Sequence, residues 1–250
     1  MTRADKRWQA AGLAACYVDG VRGAIPHADE QIDVMLRLIG WARPEPANVL
    51  DLGCGDGILG RAVLDRFPGA DCVFADFSSE MLDLARGKLD AMAPRATVVD
   101  VDYGEVGWVT AVADIAPFDV VVSGFSIHHQ PDARKRAVYG EIFDLLTPGG
   151  LFLNVEHVAS PSLGIEALHE NIFIDSLHAF HQANGSTQSR DEIAAEFYRR
   201  PDKQANILAP VEDQCAWLRE LGYVDVDCYL KYFELAVFGG RKPPSRESGS

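Results

Sequence analysis

Residues 49–60 constrain the fold of this chain more than any other stretch. A short apolar run carries Asp51 near its end, and the glycines Gly53, Gly55 and Gly57 then alternate before an amphipathic segment. This pattern predicts a strand that turns tightly into a helix, because glycine adopts positive φ and lets the backbone approach a ligand. The N-terminus of the following helix offers free N–H groups and a positive dipole end. We therefore predict a nucleotide-binding loop.

The chain after residue 46 alternates apolar runs with helical patterns, which favours βαβ units and a mostly parallel sheet. Strands are predicted at 47–52, 71–76, 96–101, 118–123, 151–156, 223–229 and 233–238. Core helices are predicted at 57–67, after the N-cap Ser78, at 132–146 and at 211–221. The last two strands are close enough to pair antiparallel. The predicted fold class is α/β: a Rossmann-like, seven-stranded, mostly parallel sheet with helices on both faces, an antiparallel C-terminal strand and a helical cap.

The organisation predicted from these patterns has five parts. The first two are an N-terminal helical lid (1–46) and a cofactor-binding core (47–160). They are followed by an inserted helical cap (161–205), a completion of the core by a helix and two strands (206–240) and a disordered tail (241–250). Within the lid the helical patterns are at 3–19 and 32–39, and within the cap the helices are predicted at 161–184 and 189–200.

Composition excludes several classes of partner. The formal net charge of −14 opposes binding to nucleic acid, which depends on Lys and Arg. The five cysteines include no C-x-x-C pair, so neither a disulfide framework nor a zinc site is indicated. No apolar run approaches the length of a membrane span, and no signal peptide is recognisable. We expect a cytoplasmic enzyme with no nucleic-acid or membrane partner.

The spacing Asp51-x-Gly53-x-Gly55-x-Gly57 resembles motif I of the class I S-adenosylmethionine (SAM) dependent methyltransferases. The resemblance extends over residues 45–240. The overlapping pattern Gly55-x-Gly57-x-x-Gly60 also matches the dinucleotide fingerprint, so a NAD-binding oxidoreductase is an alternative.

The resemblance implies SAM as cofactor and S-adenosylhomocysteine as product. Asp76 closes the second strand, where the family places an acid that accepts hydrogen bonds from the ribose hydroxyls. Asp100 and Asp102 are both candidates for the acid that binds the adenine amino group, and Asp102 lies nearer the carboxyl end where ligands bind. With the loop residues Asp51, Gly53, Gly55 and Gly57, the other predicted cofactor-binding residues are Phe77, Met81, Tyr103, Ser123, Phe125 and His128.

Three histidines are candidate catalytic residues: His128, His157 and His178. His128 opens a His-His-x-Pro-Asp segment that is similar to one in many family members, where the pair can also be structural. Histidine suits a general base because its pKa lies near operating pH. The reaction that the resemblance implies is an in-line SN2 transfer of the sulfonium methyl. A soft or anionic acceptor needs no dedicated base, since orientation alone contributes much of the rate.

The candidate substrate and lid residues are Tyr17, Arg22, His169, His181 and Arg199. His178 and His181 could share a helical face, but no third ligand is fixed by the sequence, and no metal site is predicted. The acidic cap favours a small-molecule acceptor, whose identity stays open, as does a homodimer. Two further alternatives are a carboxy-SAM synthase-like enzyme, whose group is similar in the pattern of residues 17–27 and 229–238, and a non-catalytic SAM-binding regulator.

Overall fold

The computed structural model describes residues 22–199 and 205–245, without the side chain of Arg22. The predicted helix at 3–19 and the lid residue Tyr17 lie outside the described residues. Within these ranges, none of the helices combines the length and the apolar character that a bilayer crossing requires.

Seven strands form one sheet in the order β3-β2-β1-β4-β5-β7-β6. Their bounds are β1 (Asn48–Leu52), β2 (Asp71–Asp76), β3 (Ala96–Asp100), β4 (Phe118–Gly124), β5 (Leu146–His157), β6 (Val224–Tyr232) and β7 (Leu235–Arg241). β1 to β5 pair in parallel, whereas β7 runs antiparallel to both β5 and β6. The predicted fold class, including its antiparallel C-terminal strand, is confirmed.

Seven α-helices accompany the sheet in the described part of the chain: α1 (Ala28–Ala42), α2 (Ile58–Arg66), α3 (Ser79–Leu89), α4 (Asp132–Leu145), α5 (Leu163–Ala183), α6 (Arg190–Arg199) and α7 (Val211–Glu220). Side chains alternate across each strand, so that Val120 and Val122 face one core while Val121 faces the other. α4 and α7 cover one face of the sheet, and α1, α2 and α3 cover the other.

Helix α1 differs from the prediction that residues 1–46 form a lid. Met35 and Ile39 on this helix are fully buried in the core on one face of the sheet. Burial of such side chains stabilises the fold by about 1.5–3 kcal/mol each. α1 is therefore part of the core layer.

Two other boundaries differ from the prediction. β5 begins at Leu146, which pairs with Phe118, and the Pro-Gly segment 147–150 forms an irregularity before the next pair, Val120 with Leu151. Arg241, which was assigned to the disordered tail, closes β7 opposite Leu151. The next residue continues this edge, since the Lys242 amide donates to the Gly150 carbonyl.

The segment after β5 forms two helices, α5 and α6, where the sequence predicts an inserted cap. Their apolar side chains make a separate small core with Ala24, which lies in the 3₁₀ turn Arg22–Ala24. Leu177 and Ile193 are its buried centre, and Phe180 packs closely against the backbone of Gly23. The segment before α1 is thereby attached to the cap.

Candidate active site

The glycine loop is shaped by Asp51, which lies beneath it. The Asp51 carboxylate is buried, and its Oδ2 accepts a hydrogen bond of 2.8 Å from the Gly60 amide in the first turn of α2. The amides of Gly53 and Cys54 both donate to the Ala75 carbonyl at the end of β2. Gly57 is also buried, with the Phe74 ring against its Cα. Asp51 and Gly57 therefore fix the loop and do not line the cleft above it.

An open cleft lies at the carboxyl ends of β1, β2 and β4, where the strand order reverses. This is the position at which α/β sheets bind ligands. The cleft encloses about 590 Å³, including solvent at its mouth. Seven predicted cofactor residues line it: Gly53, Gly55, Asp76, Phe77, Met81, Tyr103 and Phe125. Six lining residues were missed: Cys54, Asp56, Ser78, Gly124, Ser126 and His129.

Gly55 and Asp76 form a cradle that fits a ribose-bearing cofactor. Gly55 has φ +54°, and a Cβ built on it meets only Met81 Sδ at 3.8 Å, so it would project into the cleft. Asp76 Oδ2 accepts the Gly55 amide and Oδ1 accepts the Ser78 amide, each at 2.9 Å. The Phe77 amide also donates to this carboxylate. A carboxylate has about four acceptor positions, so one remains for a hydroxyl donor. Burial raises the pKa of Asp76, although these backbone hydrogen bonds oppose the shift.

Several predicted cofactor residues lie outside the cleft. Ser123 is fully buried, and its hydroxyl donates to the Leu52 carbonyl at 2.7 Å, so it joins β4 to β1 and does not reach a ligand. Asp100 is exposed at the end of β3. Asp102 accepts the Gly104 amide at 2.9 Å, and this bond shapes the turn before Tyr103.

His128, predicted both to bind cofactor and to act in catalysis, points away from the cleft. Its Nδ1 lies 2.5 Å from Glu156 Oε1, and its amide donates to Glu156 Oε2 at 3.0 Å. The other Glu156 donors are the His157 amide at 2.9 Å and Asn154 Nδ2 at 3.3 Å. Burial, the largest influence, raises the Glu156 pKa, but the charges and hydrogen bonds of His128 and His157 together hold it below its usual range.

His129 is the histidine of this pair that lines the cleft. Its ring packs against that of His128 with centroids 4.0 Å apart. Its Nδ1 lies 3.3 Å from the Ala205 carbonyl, which can only accept, so Nδ1 carries the proton and Nε2 the lone pair. Burial, with the neighbouring His128, holds the pKa of His129 well below its usual value. The sequence missed this assignment because adjacent histidines carry no signal of which one faces a ligand.

A second polar cluster lies where β5, α5 and the β6–β7 turn meet. His157 Nε2 is 2.7 Å from Glu234 Oε2, and His169 Nε2 is 3.7 Å from the same oxygen. Ser160 Oγ donates to Glu234 Oε1 at 2.5 Å. The rings of His128 and His157 have centroids 5.7 Å apart, so this cluster connects with the cleft wall through two ring contacts.

The remaining candidates lie on the cap or in the segment before α1, and none of those that the structure describes lines the cleft. His178 and His181 lie on α5, with the His181 ring edge-on to Phe180. Arg199 is exposed, and its Nε donates to the Ala195 carbonyl one turn earlier. Arg22 lies in the 3₁₀ turn before α1. Their proposed roles toward a substrate stay predictions.

Comparison with known proteins identifies the class. Residues 49–150 match the family model described as a methyltransferase domain, and this range holds the glycine loop, Asp76 and the His128-His129 segment. This match supports a SAM-dependent methyltransferase domain in the chain, with SAM as its cofactor. This confirms the predicted family over the dinucleotide-binding alternative.

Individual relatives differ in how much of the chain they match. A carboxy-S-adenosyl-L-methionine synthase from Chromohalobacter salexigens is 27% identical over 230 residues, which cover 90% of this chain and 79% of that protein. A demethylmenaquinone methyltransferase from Thermus thermophilus is 32% identical over 116 residues, 46% of this chain and 50% of that protein. The solved structure of an O-methyltransferase family protein from Burkholderia thailandensis superposes with a TM-score of 0.67 at 17% identity, and the match covers 98% of this chain and 64% of that one.

Proposed function

We propose that this enzyme transfers the methyl group of SAM to a small-molecule acceptor. The observation that supports the proposal is the cradle of Gly55 and Asp76 in the cleft at the switch between β1 and β4. When bound, SAM supplies an electrophilic methyl carbon for in-line SN2 displacement, and the protein supplies placement.

Each part of the cleft suits a different part of the cofactor. The backbone of Gly53 and Gly55 in the cleft lining suits the methionine moiety, and the remaining acceptor position of Asp76 suits a ribose hydroxyl. Phe77 and Met81 offer apolar contact for the adenine. Asp102, two residues after β3 and outside the cleft lining, is the proposed acceptor for the adenine amino group.

His129 is the proposed general base for an acceptor that must lose a proton. It replaces His128 in this role because it lies at the cleft wall, whereas His128 is held by Glu156 outside the cleft. The buried His128–Glu156 pair behind it is a positioning element, since its ring holds that of His129 in place. A base of lowered pKa serves an acceptor that is itself fairly acidic, such as a phenol or an enol.

A small acceptor is favoured by the cap and by charge. α5 and α6 pack as a compact pair with their own core after β5, and the formal net charge of the chain is −14. An acidic protein repels nucleic acid. The proposed acceptor site lies between the cap and the carboxyl end of β5.

Calorimetry tests the cofactor part of this proposal. The purified, nucleotide-free protein should bind both SAM and S-adenosylhomocysteine, and a Gly55→Val variant should bind neither. Incubation with a panel of phenols, enols and amines, followed by detection of S-adenosylhomocysteine, then tests transfer. Absence of SAM binding overturns the proposal, whereas binding without turnover on any acceptor indicates a non-catalytic regulator.

A carboxy-SAM synthase-like reaction is the second candidate. It is favoured by the extent of the match to the Chromohalobacter salexigens relative of that name, which spans 90% of this chain. Mass spectrometry of the cofactor released from the freshly purified protein separates the two candidates. A cofactor heavier than SAM by one carboxyl group supports the synthase, and unmodified SAM or S-adenosylhomocysteine supports methyl transfer.

A further inference from the structure

Three side chains from distant parts of the sequence converge beside the acceptor region. His157 ends β5, His169 lies on α5 and Glu234 occupies the turn between β6 and β7. In the part of the chain that the structure describes, these residues form a group whose ligand atoms all lie within 4.8 Å of one another. Glu234 Oε2 faces both imidazoles, at 2.7 Å from His157 Nε2 and 3.7 Å from His169 Nε2.

His169 is not satisfied by hydrogen bonds to the described residues. The side chain is 6% exposed, its Nδ1 has no partner among them, and its Nε2 is too far from Glu234 for a hydrogen bond. Leaving a buried imidazole in this state costs free energy. A metal ion that bonds nitrogen and oxygen at about 2.0–2.2 Å would span the gap between His169 Nε2 and Glu234 Oε2.

The carboxylate is held so that one oxygen faces the two imidazoles. Ser160 donates to Glu234 Oε1, which leaves Oε2 directed at His157 and His169. Hydrogen bonds of this kind orient carboxylate ligands at metal centres. The turn itself is strained, since Phe233 has φ +52° and its ring stacks on His169 with centroids 6.3 Å apart.

We propose that His157, His169 and Glu234 bind a divalent transition-metal cation of the zinc class. Two imidazoles and one carboxylate are donors that Zn²⁺ and its neighbours prefer, whereas Mg²⁺ and Ca²⁺ prefer sites built from oxygen. Three protein ligands leave a coordination position open, as in catalytic zinc sites.

The His157 side chain is 23% exposed, whereas the side chains of His169 and Glu234 are buried. The open coordination position of the proposed metal therefore lies on the His157 side. An oxygen donor of the acceptor suits this position. That role rests on the proposed function, but the metal site itself does not, and it can be tested without SAM or an acceptor.

Titration of the chelator-stripped protein with Zn²⁺ is the primary test. Calorimetry should show a single Zn²⁺ per chain, no comparable binding of Mg²⁺, and a rise in Tm with added Zn²⁺. Co²⁺ should give an absorption spectrum without thiolate charge transfer, because no cysteine belongs to the cluster. A thiolate band or the absence of Zn²⁺ binding overturns the proposal.

Matched variants assign the binding to these residues. His169→Gln and Glu234→Gln should each weaken Zn²⁺ binding by roughly 100-fold or more, since loss of an outer-shell partner alone costs about 10- to 100-fold. His181→Gln on the same helix is the control and should bind Zn²⁺ like the wild type. Equal affinity in all four proteins contradicts the assignment. Circular dichroism of the metal-free proteins checks folding, and if His169→Gln fails to fold, Glu234→Gln and the Co²⁺ spectrum decide the question.

Discussion

The contact between the loops after β1 and β4 gives a prediction that a double-mutant cycle can test. Gly53 has φ +68°, and a Cβ on it would lie 2.5 Å from Ser126 Cβ and closer still to Ser126 Oγ. Ser126 Oγ is also hydrogen-bonded to the Tyr103 hydroxyl at 2.6 Å. Gly53→Ala therefore carries two costs, one from backbone strain and one from overlap.

The two costs can be separated by removing the Ser126 side chain. Alanine at positive φ costs about 1–2 kcal/mol, and overpacking adds about 1–3 kcal/mol, so Gly53→Ala should destabilise by about 2–5 kcal/mol. Ser126→Gly loses a hydrogen bond and gains backbone freedom, which together cost about 1–2.5 kcal/mol. In the double variant the overlap is absent. Its destabilisation should be smaller than the sum of the single effects by about 1–3 kcal/mol.

Urea unfolding of the cofactor-free wild type, the two single variants and the double variant measures the free energies of unfolding that this cycle requires. Gly69→Ala is the matched control, because a Cβ at Gly69 meets nothing within 4 Å and its φ is not in the positive range. That variant should change the free energy of unfolding by less than about 1 kcal/mol. Additivity of the Gly53 and Ser126 effects within about 0.5 kcal/mol would refute the contact between the two loops.

Three further predictions concern the cleft. Gly55→Val should abolish SAM binding by calorimetry while far-UV circular dichroism stays native, because its side chain would occupy the cleft. Asp76→Asn should weaken SAM by about 1–3 kcal/mol, or about 5- to 150-fold in Kd, because an acceptor oxygen is replaced by a donor; an unchanged Kd would move the ribose elsewhere. Burial holds the pKa of His129 well below its unfolded value of 6.5, so the unfolded state takes up the proton first and stability falls as pH drops below that value. Between about pH 7.5 and 5.5, the wild type should therefore lose up to about 1.4 kcal/mol more free energy of unfolding than a His129→Asn variant, as measured by urea unfolding. The same pH dependence in both proteins would contradict this prediction.

The helices and strands of the core could be predicted because their apolar residues follow the pattern expected of buried elements. Strand β4 is apolar almost throughout, and α4 begins after the Pro131 that the pattern places there. The start of β5 could not be predicted, because Pro148 and its neighbouring glycines favour a turn locally. Leu146 nevertheless pairs with Phe118, and the backbones of Gly149 and Gly150 are hydrogen-bonded to the segment after β7. Tertiary pairing outweighed local propensity at this point.

The approach of Gly55 to Asp76 could be predicted from the glycine motif and the order of the strands, but contacts between the later loops could not. Gly55 and Asp76 lie at the ends of consecutive strands, and parallel strands bring such ends together. Ser126 faces Gly53, and Glu234 faces His157 from 77 positions away. The residue types alone do not predict these contacts, because the contacts depend on how the loops pack once the sheet has formed.

The two buried glutamates show why neighbouring histidines have different roles. Glu156 accepts four hydrogen bonds, two on each oxygen, so its carboxylate has no capacity left and serves to fix His128. Glu234 accepts one bond on Oε1 and one on Oε2 from the described residues, with His169 close to the latter but not bonded. A saturated carboxylate can only position a ring, whereas an unsaturated one beside two imidazoles can bind a cation. This difference makes His128 a fixed support behind His129 at the cleft wall, and it leaves His157 and His169 as the proposed cation ligands.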